Sequence, residues 1–174
     1  MVPPTKGSIS MSDDIDQLIL QEQRLRFPHF NEADAWELGN LLHRQAIARS
    51  MPLAIDIRHA GRPLFYAALA GSDADNPEWL RRKINVVLRF HKSSYRVGLE
   101  MAQKGTSIAP ERGTDPMHYA PHGGGFPIHV QGTGVVGALA VSGLPQRDDH
   151  NFVVETLCAY LSVPHEDMKL GLPV

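Results

Sequence analysis

The stretch LAIDIRHAGRPLFYAALA, Leu53–Ala70, decides the fold class. Leu53, Ile55 and Ile57 alternate with Ala54, Asp56 and Arg58, the period of a strand with one buried face. His59-Ala60-Gly61 interrupts the alternation as a short loop, and Gly61 is able to take a left-handed conformation there. Leu64–Ala70 then returns. So short a loop forces antiparallel pairing, because a parallel pair needs a crossover of roughly a dozen residues or more. A second hairpin has the same form. Phe126, Ile128 and Val130 lead into Gly132-Thr133-Gly134, and Val135–Val141 returns. This return strand is apolar on both faces and carries Gly137 and Ala138, so it is expected at the sheet centre with an element packed closely against it.

Helical periods fill the intervals. Asp13–Gln23 carries one stripe of Ile15, Leu18 and Ile19. Asn31 is a good N-cap with Asp34 at the third helical position, and the helix runs to about Ser50 with Ala35, Leu38, Leu42 and Ala46 inward. Met51-Pro52 stops it. Asp75 or Asn76 caps a third helix, with Pro77 in its first turn. Ser93–Gln103 is a fourth, and Asp148 or Asp149 caps a last one that turns Val153, Leu157, Tyr160 and Leu161 inward. Leu25–Phe30 reads as a strand, with Pro28 marking an edge or an end. The sum is an α+β single domain over residues 11–170, with an antiparallel sheet of about five strands and helices packed on it. Residues 1–10 read as a tag remnant or a disordered extension, and residues 171–174 as a frayed tail.

Composition excludes several classes. The formal net charge is -2, which argues against nucleic-acid and membrane-surface partners. A single cysteine, Cys158, allows neither an intrachain disulfide nor a Cys-rich zinc site, and it fits a reducing cytoplasm. No metal site is expected. The longest uncharged apolar run lies within Val135–Val141, far too short for a bilayer, and no secretory signal opens the chain.

Candidate chemistry concentrates in NPEWLRRKINVVLRFHKSS, Asn76–Ser94. Leu80, Ile84, Val87 and Leu88 form one apolar stripe of this helix, and Trp79, Lys83, Val86 and Phe90 form a second beside it. Arg82 and Lys83, aided by Ser93 and Ser94, are candidates to hold a carboxylate or phosphate. The competing reading is a solvated face or an ionic subunit contact. Gly123, Gly124 and Gly125 resemble an anion nest of converging N–H groups, or else a flexible entry to a strand; no P-loop ending follows them. Trp79 and Phe90 suit a planar ligand or a subunit interface. Among the nine histidines, His118, His122 and His129 lie close in sequence, but Pro121 removes the helical spacing that a zinc pair would use. Asp149-His150 reads as a helix cap before it reads as a catalytic pair. Cys158 reads as a small buried apolar residue.

Several segments together resemble a known family: FPHFNEADAWELG at Phe27–Gly39, AIDIRHAGRPLF at Ala54–Phe65, GGGFPIHVQGTGVVGALAVSGLP at Gly123–Pro145 and DDHNFVVETL at Asp148–Leu157, with the basic helix. They are similar to the haem-degrading-domain proteins of the HbpS- and GlcG-like superfamily. The resemblance implies a profilin-like fold, a symmetric homo-oligomer and, for some relatives, binding of haem or another tetrapyrrole. No haem-ligating position transfers to a residue of this chain, and His91, His118, His122, His129 and His150 all stay open as axial candidates.

Three functional expectations follow. The first is a cytoplasmic homo-oligomer binding a small anionic ligand, with haem as one candidate, near Arg82, Lys83, Ser93, Ser94 and Gly123–Gly125. The second is an enzyme on a small anionic substrate, using Lys83 or His150 for proton transfer. The third is a ligand-free interaction module in which Trp79, Phe90 and the arginines form the interface.

Overall fold

The computed structural model describes residues 10–171. The expected N-terminal extension, up to residue 9, and the tail from residue 172 lie outside the described residues. Five α-helices pack on a four-stranded antiparallel sheet: α1 Met11–Arg24, α2 Glu32–Ala48, β1 Ala54–His59, β2 Arg62–Ala68, α3 Asn76–Phe90, α4 Ser94–Gln103, β3 Gly125–Val130, β4 Gly134–Ser142 and α5 Gln146–Leu161. The strand order is β2-β1-β4-β3. β4 sits inside the sheet, as its two apolar faces require. Its register pairs Ile55 with Val141 and Ile57 with Leu139, and on the other face Ala54 with Ser142 and Arg58 with Ala138.

The two faces bury different partners. Ile55, Ile57, Leu139 and Val141 join α2 and α5 in the main core through Leu38, Leu42, Val153 and Leu157. Ala54, Ala138 and Ala140 lie under Leu80, Ile84 and Val87 of α3. Alanines on that face let α3 approach closely, which brings the Lys83 side of the helix down to the end of β4.

Among the described residues the sheet has four strands, not five. The segment at Leu25–Phe30 makes one isolated parallel bridge, Phe27 with Val130, in which Phe27 N donates to His129 O (2.8 Å) and Gln131 N donates to Phe27 O (2.9 Å). Leu25 and Phe27 are both buried, which mimics strand alternation. Pro28 then has no N–H with which to extend a ladder. Two smaller expectations also change. In the first hairpin the residue with positive φ is Ala60 (49°), not Gly61. The N-cap position of α5 is Pro145, which has no side-chain cap, so neither Asp148 nor Asp149 caps the helix. Pro145 starts the helix earlier because its fixed φ suits a helix entry.

Local signals elsewhere match the structure. Asn31 Oδ1 accepts from Ala33 N and Asp34 N, while Asp34 accepts from Asn31 N, completing a capping box. Ser93 Oγ accepts from Arg96 N at the start of α4. Asp75 occupies the N-cap position of α3 without a side-chain cap bond; its carboxylate takes the Trp79 indole N–H instead (3.0 Å). Among the described residues, no helix is long and apolar enough to cross a membrane.

Candidate functional site

Lys83 reaches across the end of β4 and is almost fully buried, at 3% exposure. Its Nζ donates to Asp149 Oδ2 on α5 (2.9 Å) and to Val141 O on β4 (3.0 Å). The second oxygen of Asp149 accepts from Leu144 N (3.0 Å). One lysine thus ties α3, β4 and α5 together, and an ammonium has a third N–H to give. Burial pulls the Lys83 amine below its usual range and pushes the Asp149 carboxyl above its own. Their mutual attraction opposes both shifts.

Gly124 makes this approach possible. Its φ is +125°, and a Cβ there would stand 2.4 Å from Val141 O and 2.8 Å from Lys83 Nζ. Only glycine accepts both the conformation and the contact.

A cavity of about 300 Å³ opens over the pair. Asn76 and Trp79 line it from the first turn of α3, while Leu144 and Gln146 line it from the start of α5. Two helix N-termini therefore open onto one space, each with a partial positive charge. His122 stands at the rim, its ring edge-on to Trp79 at 5.5 Å between centroids. Partial burial, then the charges of Lys83 and Arg82, lower its pKa and keep the imidazole neutral near neutral pH.

The sequence candidates separate into cavity and framework. Lys83 lines the cavity, and Gly124 lies directly against it. The N–H groups of Gly123 and Gly125 are already used: Gly123 N donates to Gln146 Oε1 (3.2 Å) and Gly125 N to Ser94 Oγ (2.9 Å). Ser93 and Ser94 are fully buried. Ser93 caps α4, and Ser94 Oγ donates to His122 O (2.5 Å). Arg82 stacks over Trp79 at 4.9 Å and donates through Nε to Pro116 O (3.0 Å). Its neighbours act alike, since Arg81 donates to Met117 O (2.8 Å) and Asn85 to His118 O (2.8 Å). Much of the basic helix therefore holds the long loop before β3. Trp79 is partly buried in the cavity wall, and Phe90 lines a separate cavity with Val97 and Met101.

His150 is wholly enclosed, beside the rings of Tyr95 and Phe126. Its Nε2 meets Gln21 Oε1 at 2.8 Å, and Gln21 Nε2 donates to Met168 O (2.6 Å). Burial, then the Arg147 charge, pushes its pKa down to about 3. Of the two groups expected for proton transfer, Lys83 faces a cavity and His150 faces the packing of α1. Burial pushes the Cys158 thiol up to about 11, which suits an inert core residue. Among the described residues, no three His, Cys, Asp or Glu side chains gather as a metal site requires.

Sequence reasoning missed Asp149 as the lysine's partner, and Asn76, Ser142 and Gln146 as lining. For Asp149 a signal existed. It falls four residues before Val153 and eight before Leu157, on the buried stripe of α5, where an unpaired carboxylate cannot stay.

Comparison with known proteins places the chain. Residues 30–158 match the family model described as "Haem degrading protein HbpS-like". A UPF0303 protein of Burkholderia ambifaria is 51% identical over 94% of this chain and 99% of its own length. The crystal structure of the Ybr137w protein is similar over 85% of this chain and 87% of that one, at 30% identity and a TM-score of 0.76. The crystal structure of the PduOC:haem complex shares the fold at a TM-score of 0.64 and 17% identity, over 81% of this chain and 99% of that one. An open four-stranded sheet carrying five helices, with these matches, places the chain in the HbpS-like haem-degrading-protein family, alongside the UPF0303 proteins.

Proposed function

We propose that the chain binds a small anionic molecule in the cavity between the starts of α3 and α5. The observation that carries this reading is the convergence there of two helix N-termini over a buried lysine. Lys83 and Asp149 cancel each other's charge, so the helix ends set the field at the mouth. Trp79 offers a flat apolar wall, and Asn76 and Gln146 offer neutral hydrogen bonds. A volume near 300 Å³ lies at the small end of ligand sites and suits a compact metabolite. The exposed mouth suits closure by a second copy of the chain in a cytoplasmic homo-oligomer. Calorimetry with a panel of small carboxylates and phosphates tests the reading. Trp79→Leu and Gln146→Ala should each weaken the best binder about tenfold, roughly one hydrogen bond or stacking contact. Equal affinity in both variants would refute it.

A second reading has its own observation. His122 is a neutral imidazole at the rim, the form that ligates haem iron, and Arg82 stands beside it over Trp79. The PduOC relative was solved with haem. A tetrapyrrole is larger than this cavity, so its ring would lie across the mouth, with His122 toward the iron and Arg82 toward a propionate. Haem would supply a redox-active iron there. Haemin titration followed at the Soret band decides: a saturable band lost in His122→Ala supports this reading, and no specific band ends it.

A further inference from the structure

Another cavity, about 350 Å³, lies near the β3–β4 turn, at the far end of β4 from Lys83. Arg26, His91 and His129 line it from three different places: the segment after α1, the end of α3, and β3. Among the described residues, none of these three side chains has a hydrogen-bond or ion-pair partner; Arg26 and His91 are exposed to solvent and His129 is half-buried. The contrast with Arg96 in the same wall is direct, since Glu22 holds it at 2.6 Å and Glu100 at 2.7 Å. Glu22, the carboxylate lining this cavity, is thus committed to Arg96 and to the Ser93 N–H (2.8 Å). What remains is a concave space with a guanidinium and two imidazoles on three sides, none of them paired with a carboxylate.

His91 is informative for a second reason. It ends α3 with a left-handed backbone, φ 52°. Glycine is the usual residue at such a helix end and would sit there without strain. The imidazole is therefore not explained by the backbone it occupies. His129 responds to the same crowding. Partial burial, then the charges of Arg26 and His91, lower its pKa, so these groups disfavour a positive charge on the His129 ring. An anion between the three groups would reverse that balance.

We propose that this cavity binds a small molecule through a phosphate-like oxyanion, held by the Arg26 guanidinium and by N–H groups of the His91 and His129 rings. The planar fork of Arg26 suits two oxygens of one group, and the imidazoles add N–H donors from the other sides. Ile19, Pro127 and Val135 form an apolar wall for the rest of the molecule. The groups facing the histidines are Arg26, Glu22 and Arg96, and the latter two neutralise each other. Binding then takes up a proton at His129 and tightens as pH falls through the range in which that ring titrates. The site is independent of the Lys83–Asp149 cavity.

Calorimetric titration of the full chain with sulfate, at fixed ionic strength, reads the pH dependence without titration of the probe itself. Affinity should be about tenfold higher near pH 6 than near pH 8. Inorganic phosphate and pyrophosphate then test the class. His91→Gly and Arg26→Gln should each weaken binding about tenfold, the loss of one charge-assisted hydrogen bond. His91→Gly should keep or raise the melting temperature, because glycine fits the left-handed backbone. In nuclear magnetic resonance the His129 ring should titrate at higher pH with sulfate present. Undetectable binding near pH 6, unchanged affinity in both folded variants, or a His129 titration indifferent to sulfate would each overturn the proposal.

Discussion

Asp149 and His150 are adjacent on α5, and each is at most 1% exposed, yet they do opposite work. Successive helix positions point about 100° apart. Asp149 therefore turns to Lys83 and the cavity, while His150 turns to Gln21, Tyr95 and Phe126 on the α1 side. Burial pushes both away from charge. Asp149 has a cation to oppose that push; His150 has no anion to do so, the Arg147 charge adds to the push, and the ring stays neutral, with Nδ1 unpartnered. A buried ionisable group marks a candidate site only where a cavity reaches it. The same group sealed in packing is a determinant of stability.

The largest effect should come from the cavity side. Lys83→Met leaves Asp149 buried without its cation and should cost about 3–5 kcal/mol in urea unfolding. Adding Asp149→Leu removes the orphaned charge and should recover most of that loss. Equal stability of the single and double variants would show that the pair does not act as a unit. The single variant also carries a sign. Its Asp149 has a raised folded pKa, so the neutral form fits the fold. The penalty should therefore shrink at low pH and grow as pH rises through that pKa.

The sealed side predicts the opposite pH dependence. His150 has a folded pKa of about 3 against an ordinary 6.5. Its neutral form belongs to the fold, so its contribution is complete above 6.5 and is lost as pH falls toward 3. Between pH 6.5 and pH 5 the loss should be about 2 kcal/mol. His150→Gln, which does not titrate, should flatten that part of the curve. If wild type and variant fall in parallel, another group drives the acid sensitivity.

These contrasts mark what was readable in the sequence. The hairpins and the Asn31 capping box were legible because each rests on a local rule: alternation, turn length, or a side chain meeting a nearby N–H. The supposed fifth strand failed where one local rule met another, since Leu25 and Phe27 alternate correctly but Pro28 ends the ladder. Lys83 stood out as a lysine in an apolar stripe. Its partner lies 66 positions away, and no local pattern announces that pairing. Ser93 and Ser94 looked free because sequence does not show which backbone groups need them. In the fold, Ser93 caps α4, and Ser94 joins His122 O to Gly125 N.

The smallest expected effect sharpens the comparison most finely, because it separates cavity from framework on a single helix. Arg82 and Lys83 are neighbours on α3, but only Lys83 lines the cavity. Arg82 holds Pro116 O and covers Trp79 from outside. Arg82→Ala should therefore cost no more than about 1 kcal/mol in global stability, the value of one hydrogen bond at a partly exposed site. Hydrogen exchange should speed up in the loop around residues 115–120, whose Ala120 N–H donates to Arg82 O. Affinity for a small anion in the cavity should change little. The discriminating result is the reverse pattern: binding lost while the loop stays protected. That would move Arg82 from the loop's anchor to the ligand's, and the anion would then sit at the mouth over Trp79 instead of on the floor above Lys83.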